Sequence, residues 1–218
     1  MSKKKYYTED EVGNMKKFIL EKCMNIIKQN KNYDDVKLAE IKYGLEGLYL
    51  MITKLIIITI IAILLGILKE YIIFLIIFNI MRSPSFGLHA KKSWICLLTS
   101  TIAFIGIPLL AINIKLNITT KIIIGIISIM GICLFSPADT HKRPIINKKR
   151  RMIYKILSTI IATTYIILSI IIKDNFISNA FFYATILQNI LISPITYKLF
   201  NMPYNNYKTY IKNHGLNE

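Results

Sequence analysis

Long apolar segments without charged residues constrain this sequence more than any other feature. Residues 55–68 contain no Lys, Arg, Asp or Glu, whereas residues 1–47 contain 18 of the 40 in the chain. An α-helix needs about 20 apolar residues to cross the hydrocarbon core of a bilayer. Hydrophobic residues make up 54% of the chain and charged residues 18%, against about 45–50% and about 25% in soluble domains. The sequence therefore predicts an all-α integral membrane protein and excludes a large soluble domain beside it.

Six apolar segments follow one another along the chain, and they predict about six transmembrane helices. The segments are Leu48–Leu68, Tyr71–Met81, Trp94–Asn113, Ile122–Phe135, Met152–Ile172 and Phe176–Phe200. Two of them are short, since the eleven residues at 71–81 rise about 16 Å as a helix and the fourteen at 122–135 about 21 Å. The hydrocarbon core is about 30 Å thick. Each short helix must therefore continue into polar sequence or stop inside the bilayer.

The N-terminal segment has the pattern of an amphipathic helix. A Thr-x-x-Glu capping box at Thr8–Glu11 marks its start. Apolar residues then recur at helical spacing, namely Val12, Met15, Ile19, Cys23 and Ile26. The helix is too polar to cross a membrane. It lies on the inner membrane surface or packs on the rest of the protein, and the sequence favours neither arrangement.

Basic residues are distributed unequally between the predicted loops. With the N-terminus inside, the two inner loops, 82–93 and 137–151, hold nine Lys and Arg residues, and the three outer turns hold four. Because cytoplasmic loops of membrane proteins collect Lys and Arg, this distribution favours a multi-pass protein of the cell membrane with both termini in the cytoplasm. We therefore attribute the net charge of +16 to topology. The sequence contains no basic folded module of the kind that binds nucleic acid.

The loop at 82–93 and the helix start after it combine residues from which a nucleophilic site is built. Ser93 is a good N-cap for the next span, and Cys96 then lies in the first helical turn, where the positive helix end favours a thiolate. His89 is the usual type of activator for such a thiol, but it must fold back over the helix start to reach it. Gly87 gives the backbone the freedom for that turn. The alternative is a topogenic loop with an incidental His and a packed Cys.

The remaining cysteines and histidines show no pattern of a metal site. The chain has three cysteines, an odd number that gives no disulfide framework, and it contains no CxxC or HExxH motif. We interpret Cys23 and Cys133 as structural apolar residues and His141 as a loop residue. We expect no metal and no cofactor.

The motif around His89 and Cys96 resembles the signature of the accessory gene regulator B (AgrB) family. The likeness is carried by the stretch Arg82…Gly87-Leu88-His89-Ala90-x-x-Ser93-x-x-Cys96. Two further matches are Tyr43-Gly44-Leu45-Glu46 before the first span and Pro137-Ala138-Asp139-Thr140 with Lys142-Arg143-Pro144-Ile145 after the fourth. The resemblance covers residues 36–200 and departs at Phe86, where many members have a second glycine.

This resemblance implies a membrane cysteine endopeptidase of Gram-positive quorum sensing. Members of the family cleave the C-terminal part of a short AgrD-like precursor peptide, which has an acidic tail, and promote closure of a thiolactone or lactone ring. The resemblance implies that Cys96 is the nucleophile and that His89 is the general base and then the acid. Supporting positions are matched by Arg82, Gly87 and Ser93. The resemblance also suggests a homodimer.

Asp139 and a basic segment extend this candidate site. Asp139 either orients His89 as a third member of the site or serves as a helix-end or turn residue, and we favour the second role. Six of the ten residues at 142–151 are basic. The residues expected to bind the acidic peptide tail are Lys142, Arg143, Lys148 and Lys149. The alternative is that this segment only sets topology and contacts anionic lipid.

Two hypotheses from other functional classes stay open. A membrane peptide transporter would use the polar residues of the last span, among them Gln188 and Asn189. A non-catalytic membrane scaffold would need no activated thiol. We divide the chain into cytoplasmic amphipathic N-terminal helices at 1–47, a polytopic membrane catalytic domain at 48–200 with a cytoplasmic active site, and a cytoplasmic tail at 201–218.

Overall fold

The computed structural model describes residues 14–30, 33–88, 93–140 and 144–214. This part of the chain is helical and contains no β-strand. Its helices are α1 Asn14–Asn30, α2 Asp35–Leu64, α3 Leu68–Ser85, α4 Ser93–Thr101, α5 Ile107–Asn113, α6 Ile118–Phe135, α7 Lys148–Ile171, α8 Asn175–Ile192, α9 Pro194–Leu199 and α10 Asn206–His214, with a π-helical segment, Ile102–Gly106, between α4 and α5. The predicted all-α class is confirmed for the described residues.

Several helices are long and apolar enough to cross a membrane. Among the described residues these are α2, the continuous rod Trp94–Asn113, α6 and α7. The prediction of about six crossings is not confirmed, because α3 and α8 fall outside this set. α3 carries Lys69, Glu70 and Arg82, and α8 contains several Asn and Gln residues. α8 packs against α3, α5, α6 and α7, so the polar residues of α8 are covered by other helices.

Both short apolar segments continue into polar sequence. α3 begins at Leu68 and α6 at Ile118, and each helix is 18 residues long, which corresponds to a rise of about 27 Å. The last apolar segment, predicted as a single helix, is divided instead between α8 and α9. Ser193 is extended and Pro194 opens α9, because proline disfavours helical backbone in the residue before it.

The buried face of α1 differs from the predicted apolar stripe. Leu20 and Met24, four residues apart and hence on one face, are buried, whereas Ile19 and Ile26 are exposed. The predicted capping box at Thr8–Glu11 lies outside the described residues. An amphipathic helix with the predicted face is therefore not confirmed.

Two compact units divide the chain, Met1–Ile57 and Ile58–Glu218. Within the first unit, Nζ of Lys16 in α1 lies 3.8 Å from Oε2 of Glu46 in α2. The second unit contains the end of α2 and all later helices, and the predicted boundary at 47/48 stays a prediction.

The core of the second unit is rich in aromatic side chains. Phe74, Phe78 and Phe104 contact one another with ring centroids 5.5, 6.1 and 6.2 Å apart, distances at which aromatic pairs attract. Tyr165 of α7 belongs to the same core, and its hydroxyl donates a 2.9 Å hydrogen bond to the carbonyl oxygen of Ile77. Because a buried hydroxyl without a partner is unfavourable, this bond fixes α7 against α3.

Loops and helix ends of this unit gather at two opposite ends of the helices. At one end Lys121 is buried, and its Nζ donates to Oγ of Ser178 at 2.6 Å and to the carbonyl oxygen of Ser169 at 3.3 Å. The last carbonyl groups of a helix have no partner within it, so Lys121 satisfies the C-terminal end of α7. At the other end residues 86–88, which follow α3, bond to Ala138 after α6 and to Leu191 near the end of α8, and the candidate site lies there.

Candidate active site

Cys96 lies in the first turn of α4, which begins at Ser93. It is half-buried, whereas Cys133 on α6 is exposed. The first turn exposes a side chain to the positive end of the helix dipole, which is the electrostatic support that a nucleophilic thiolate needs. His89 and the two lysines after it lie outside the described residues. The His–Cys geometry therefore stays a prediction.

Arg82 lies at the end of α3, and its guanidinium group is bound by the backbone that follows this helix. One guanidinium nitrogen, Nη2, donates a 2.7 Å hydrogen bond to the carbonyl oxygen of Leu88. The other, Nη1, is buried and has no hydrogen-bond partner within the described ranges. The site thus contains a cation that is anchored by one nitrogen and retains an unused donor on the other.

The chain that leads toward residue 89 is held on both sides by backbone hydrogen bonds. An isolated parallel bridge pairs it with the α6–α7 loop, and there the amide of Gly87 donates to the carbonyl oxygen of Ala138 at 2.9 Å. On the other side the amide of Leu88 donates to the carbonyl oxygen of Leu191 at 3.1 Å. The α6–α7 loop and the end of α8 therefore fix the position at which the chain departs toward His89.

Two consecutive residues of this segment have positive φ angles, 57° at Phe86 and 118° at Gly87. Glycine adopts such angles without steric strain. A Cβ atom on Gly87 would lie 2.9 Å from Nη1 of Arg82 and 3.1 Å from the carbonyl oxygen of Leu191, so the loop passes between them only as glycine. Phe86 is the position at which the sequence departs from the AgrB signature, and a glycine there would adopt the same φ at lower cost.

Asp139 is buried and its carboxylate is engaged by the start of α10. Oδ1 accepts a 3.0 Å hydrogen bond from the amide of Asn206, and Oδ2 accepts one of 2.7 Å from the amide of Tyr207. Burial raises the pKa of Asp139, and the amides of Tyr207 and Asn206 act to lower that pKa. The observed position is that of a helix-end carboxylate. Orientation of His89 by Asp139 stays untested, because His89 lies outside the described residues.

The basic segment is described only in part. Lys142 and Arg143 lie outside the described residues, whereas Lys148 and Lys149 are exposed in the first turn of α7. That turn contains no acidic residue. Positive charge at a helix N-terminus opposes the helix dipole, so these lysines do not serve the stability of α7. Whether they bind the acidic peptide tail stays a prediction.

Two residues that the sequence did not identify as part of the site hold it together. Nε2 of Gln188 donates a 2.8 Å hydrogen bond to the carbonyl oxygen of Phe86, and the hydroxyl of Tyr197 donates one of 3.1 Å to the carbonyl oxygen of Asp139. The signal for Gln188 was its position in an apolar segment, where polar side chains are paired or functional. For Tyr197 the sequence offered no signal.

No cluster of three or more His, Cys, Asp or Glu side chains able to hold a metal ion occurs in the described part of the chain. The groups that the described structure assembles at this end are a thiol, a guanidinium and a buried carboxylate.

Comparison with known proteins gives one consistent result. A sequence profile described as accessory gene regulator B matches residues 20–192. The chain is 30% identical over 198 residues to an AgrB-like protein of Clostridium acetobutylicum, covering 88% of this chain and 94% of that protein. It is 33% identical over 152 residues to accessory gene regulator protein B of Staphylococcus aureus, covering 69% and 79%, and 30% identical over 182 residues to an AgrB-like protein of Listeria monocytogenes, covering 81% and 87%. No solved structure matches the chain.

Proposed function

The chain belongs to the accessory gene regulator B family, and from this premise we propose that it is a membrane cysteine endopeptidase. Its substrate is a short AgrD-like precursor peptide with an acidic tail, from which it removes the C-terminal part and promotes ring closure. The family links the chain to quorum sensing, and apolar helices long enough to cross a membrane fit a multi-pass protein. The observation that carries the proposal is the position of Cys96 in the first turn of α4, within the part of the chain that matches the family.

In the first step the sulfur of Cys96 attacks the carbonyl carbon of the scissile amide. His89 takes the thiol proton, the C–N bond breaks, and His89 delivers the proton to the leaving amine. The products are a thioester between Cys96 and the N-terminal part of the precursor, and a free C-terminal peptide. Because a thioester is hydrolysed by water, the site must hold water away from this intermediate.

Arg82 supplies electrostatic stabilisation in this step. A guanidinium in this site stabilises the negative charge that develops on the carbonyl oxygen of the scissile amide during the attack. The bond from Nη2 to the carbonyl oxygen of Leu88 fixes the guanidinium, and Nη1 is buried against Gly87, so the charge of Arg82 acts through space and not by a direct hydrogen bond to the substrate.

Ring closure follows as an exchange of one acyl acceptor for another. An internal thiol or hydroxyl of the bound peptide attacks the thioester carbon, its proton passes to His89, and the bond to the sulfur of Cys96 breaks. Cys96 leaves as a thiolate and regains the proton from His89. Exchange between two thiols is close to balanced in bond energy, and the attacking group is tethered to the acyl group, which raises its effective concentration.

We further propose that both termini and the active site face the cytoplasm, where the precursor is synthesised. The excess of Lys and Arg in the loops at 82–93 and 137–151 supports this orientation. Lys148 and Lys149, which are exposed on the α7 side of the candidate site, are then available to the acidic tail of the peptide.

Substitution of the nucleophile and the base tests the proposal. The enzyme is co-expressed with a tagged AgrD-like precursor, and the tagged product is identified by mass. Cys96→Ala and His89→Ala should each abolish cleavage while the protein still inserts into the membrane, because both groups take part in bond breaking. Cys133→Ala is the matched control and should cleave at the normal rate. Cleavage by Cys96→Ala at a near-normal rate would refute the mechanism.

Alkylation separates the enzyme from a transporter or a scaffold. An activated Cys96 should react with iodoacetamide well above the rate of Cys23 or Cys133, since the thiolate is the reactive form. Equal rates at all three cysteines, together with an intact precursor, would favour a transporter or a non-catalytic scaffold.

A further inference from the structure

We propose that Asp139 and the C-terminal helix α10 form a clamp that positions the loop leading to His89, with Asp139 as its positioning residue. The inference rests on the proposed function, because it assigns a role within the same site. The clamp consists of Asp139, Arg151, Asn206 and Tyr207. α10 lies beyond residues 20–192, the part that matches the family profile, so the role is read from the contacts of this chain.

The first element of the clamp is a carboxylate at the start of a helix. The amides of Asn206 and Tyr207 are the first two of α10, and each donates to a different oxygen of Asp139, at 3.0 and 2.7 Å. The first amides of a helix have no acceptor within it, and the helix dipole favours negative charge there. The cap comes from 67 positions earlier in the chain. The start of α10 is therefore tied to the α6–α7 loop by charge and by two directional bonds.

The second element is a contact between Tyr207 and the first turn of α7. The guanidinium carbon of Arg151 lies 3.1 Å from the centroid of the Tyr207 ring, a cation–π arrangement. Further along α10 the side chain of Ile211 is buried. α10 is therefore held at its start by Asp139 of the α6–α7 loop and by Arg151 of α7, and further along by the burial of Ile211.

The clamp contacts the loop that leads to His89 through one peptide unit. Ala138, next to Asp139, accepts the 2.9 Å hydrogen bond from the amide of Gly87, and Gly87 precedes His89 by two residues. The hydroxyl of Tyr197 lies 3.4 Å from the carbonyl oxygen of Ala138 and 3.1 Å from that of Asp139, so both carbonyl groups are held together. A displacement at Asp139 moves the acceptor of Gly87 and with it the backbone that leads to His89.

Kinetics of the full chain in membranes test the clamp with the co-expressed precursor as the probe. Asp139→Ala should lower kcat by about tenfold or more and leave KM within about twofold, because the base is displaced while peptide binding is not. Asp139→Asn keeps one acceptor oxygen and should recover part of kcat. Lys208→Ala changes an exposed residue of α10 and is the matched control with normal kcat. An unchanged kcat in Asp139→Ala would overturn the proposal.

Amide hydrogen exchange gives a second measurement that does not depend on cleavage. Asp139→Ala and Tyr207→Ala should both accelerate exchange in the segment 206–214 and in 85–88, since the second segment loses its fixed acceptor. Tyr207→Ala leaves the carboxylate in place and covers the event that Asp139→Ala fails to fold. Acceleration in 206–214 alone would overturn the clamp. If the wild-type chain never cleaves the precursor, but Asp139→Ala and Tyr207→Ala accelerate exchange in both segments, the proposed function is refuted and the clamp is supported.

Discussion

Gly87→Ala is the substitution whose effect the structure defines most sharply. The φ angle of 118° is one that alanine adopts only with strain, at a cost of about 1–3 kcal/mol. The new Cβ atom would also lie 2.9 Å from Nη1 of Arg82 and 3.1 Å from the backbone oxygen of Leu191. Neither neighbour is free to move, since Arg82 is bound to Leu88 and Leu191 accepts the amide of Leu88.

The free-energy cost of Gly87→Ala follows from the hydrogen bond that the substitution breaks. A shift of Arg82 breaks its 2.7 Å bond to Leu88, and hydrogen bonds of a charged group contribute about 1.5–3 kcal/mol. With the backbone strain, the local cost is about 2.5–6 kcal/mol. If about 2.7 kcal/mol of this cost is added to the activation free energy of cleavage, the cleavage rate falls about 100-fold. We therefore expect Gly87→Ala to lower precursor cleavage by at least two orders of magnitude.

Gly66 provides the matched control for this substitution. Its φ angle is also positive, at 70°, but a Cβ atom there would meet nothing within 4 Å. Gly66→Ala should therefore destabilise the protein modestly in a thermal unfolding assay and leave cleavage unchanged. Equal losses of stability and equal cleavage in the two variants would show that the contacts around Gly87 have no special role.

Two further predictions concern the basic segment and the orientation of the chain. Replacing Lys142, Arg143, Lys148 and Lys149 by Gln should raise the apparent KM for the precursor roughly tenfold and flatten the salt dependence of that KM, because exposed charges are screened over about 8 Å at physiological ionic strength. Lys173→Gln at the opposite end is the control. An unchanged KM and an unchanged salt response would leave the segment a topological role only. In a chain without Cys23 and Cys133, Asn147→Cys should resist an impermeant thiol reagent in intact cells while Lys115→Cys reacts, because the proposed orientation puts the basic loops in the cytoplasm. Labelling of Asn147→Cys from outside would invert the orientation.

Much of the fold was readable from the sequence because its signals are local. An uncharged apolar run predicts a helix wherever it occurs, and the rod Trp94–Asn113 has the predicted limits. The likeness to the AgrB family also rests on short contiguous motifs, and it is confirmed by the profile match over residues 20–192. Pro194 marked the break between α8 and α9, although the apolar pattern alone predicted a single helix there.

The burial of α1 and the membrane count show where local patterns are insufficient. Several helical faces in α1 carry apolar residues, so spacing alone did not select Leu20 and Met24 over Ile19 and Ile26. Helices α3 and α8 both pack against other helices. Neighbouring helices bury Asn179 and Gln188 of α8, whereas Lys69 and Asn79 of α3 are exposed.

The sequence by itself determined that this chain forms apolar helices, that a thiol stands at the start of one of them, and that a glycine precedes the His of its motif. Only the tertiary structure decided which distant groups meet: Gln188 with Phe86, and Asp139 with the start of α10. These pairs are 102 and 67 positions apart. No spacing rule encodes such pairs, because they depend on how whole helices pack, and the fixed donors and acceptors at helix ends then select their partners.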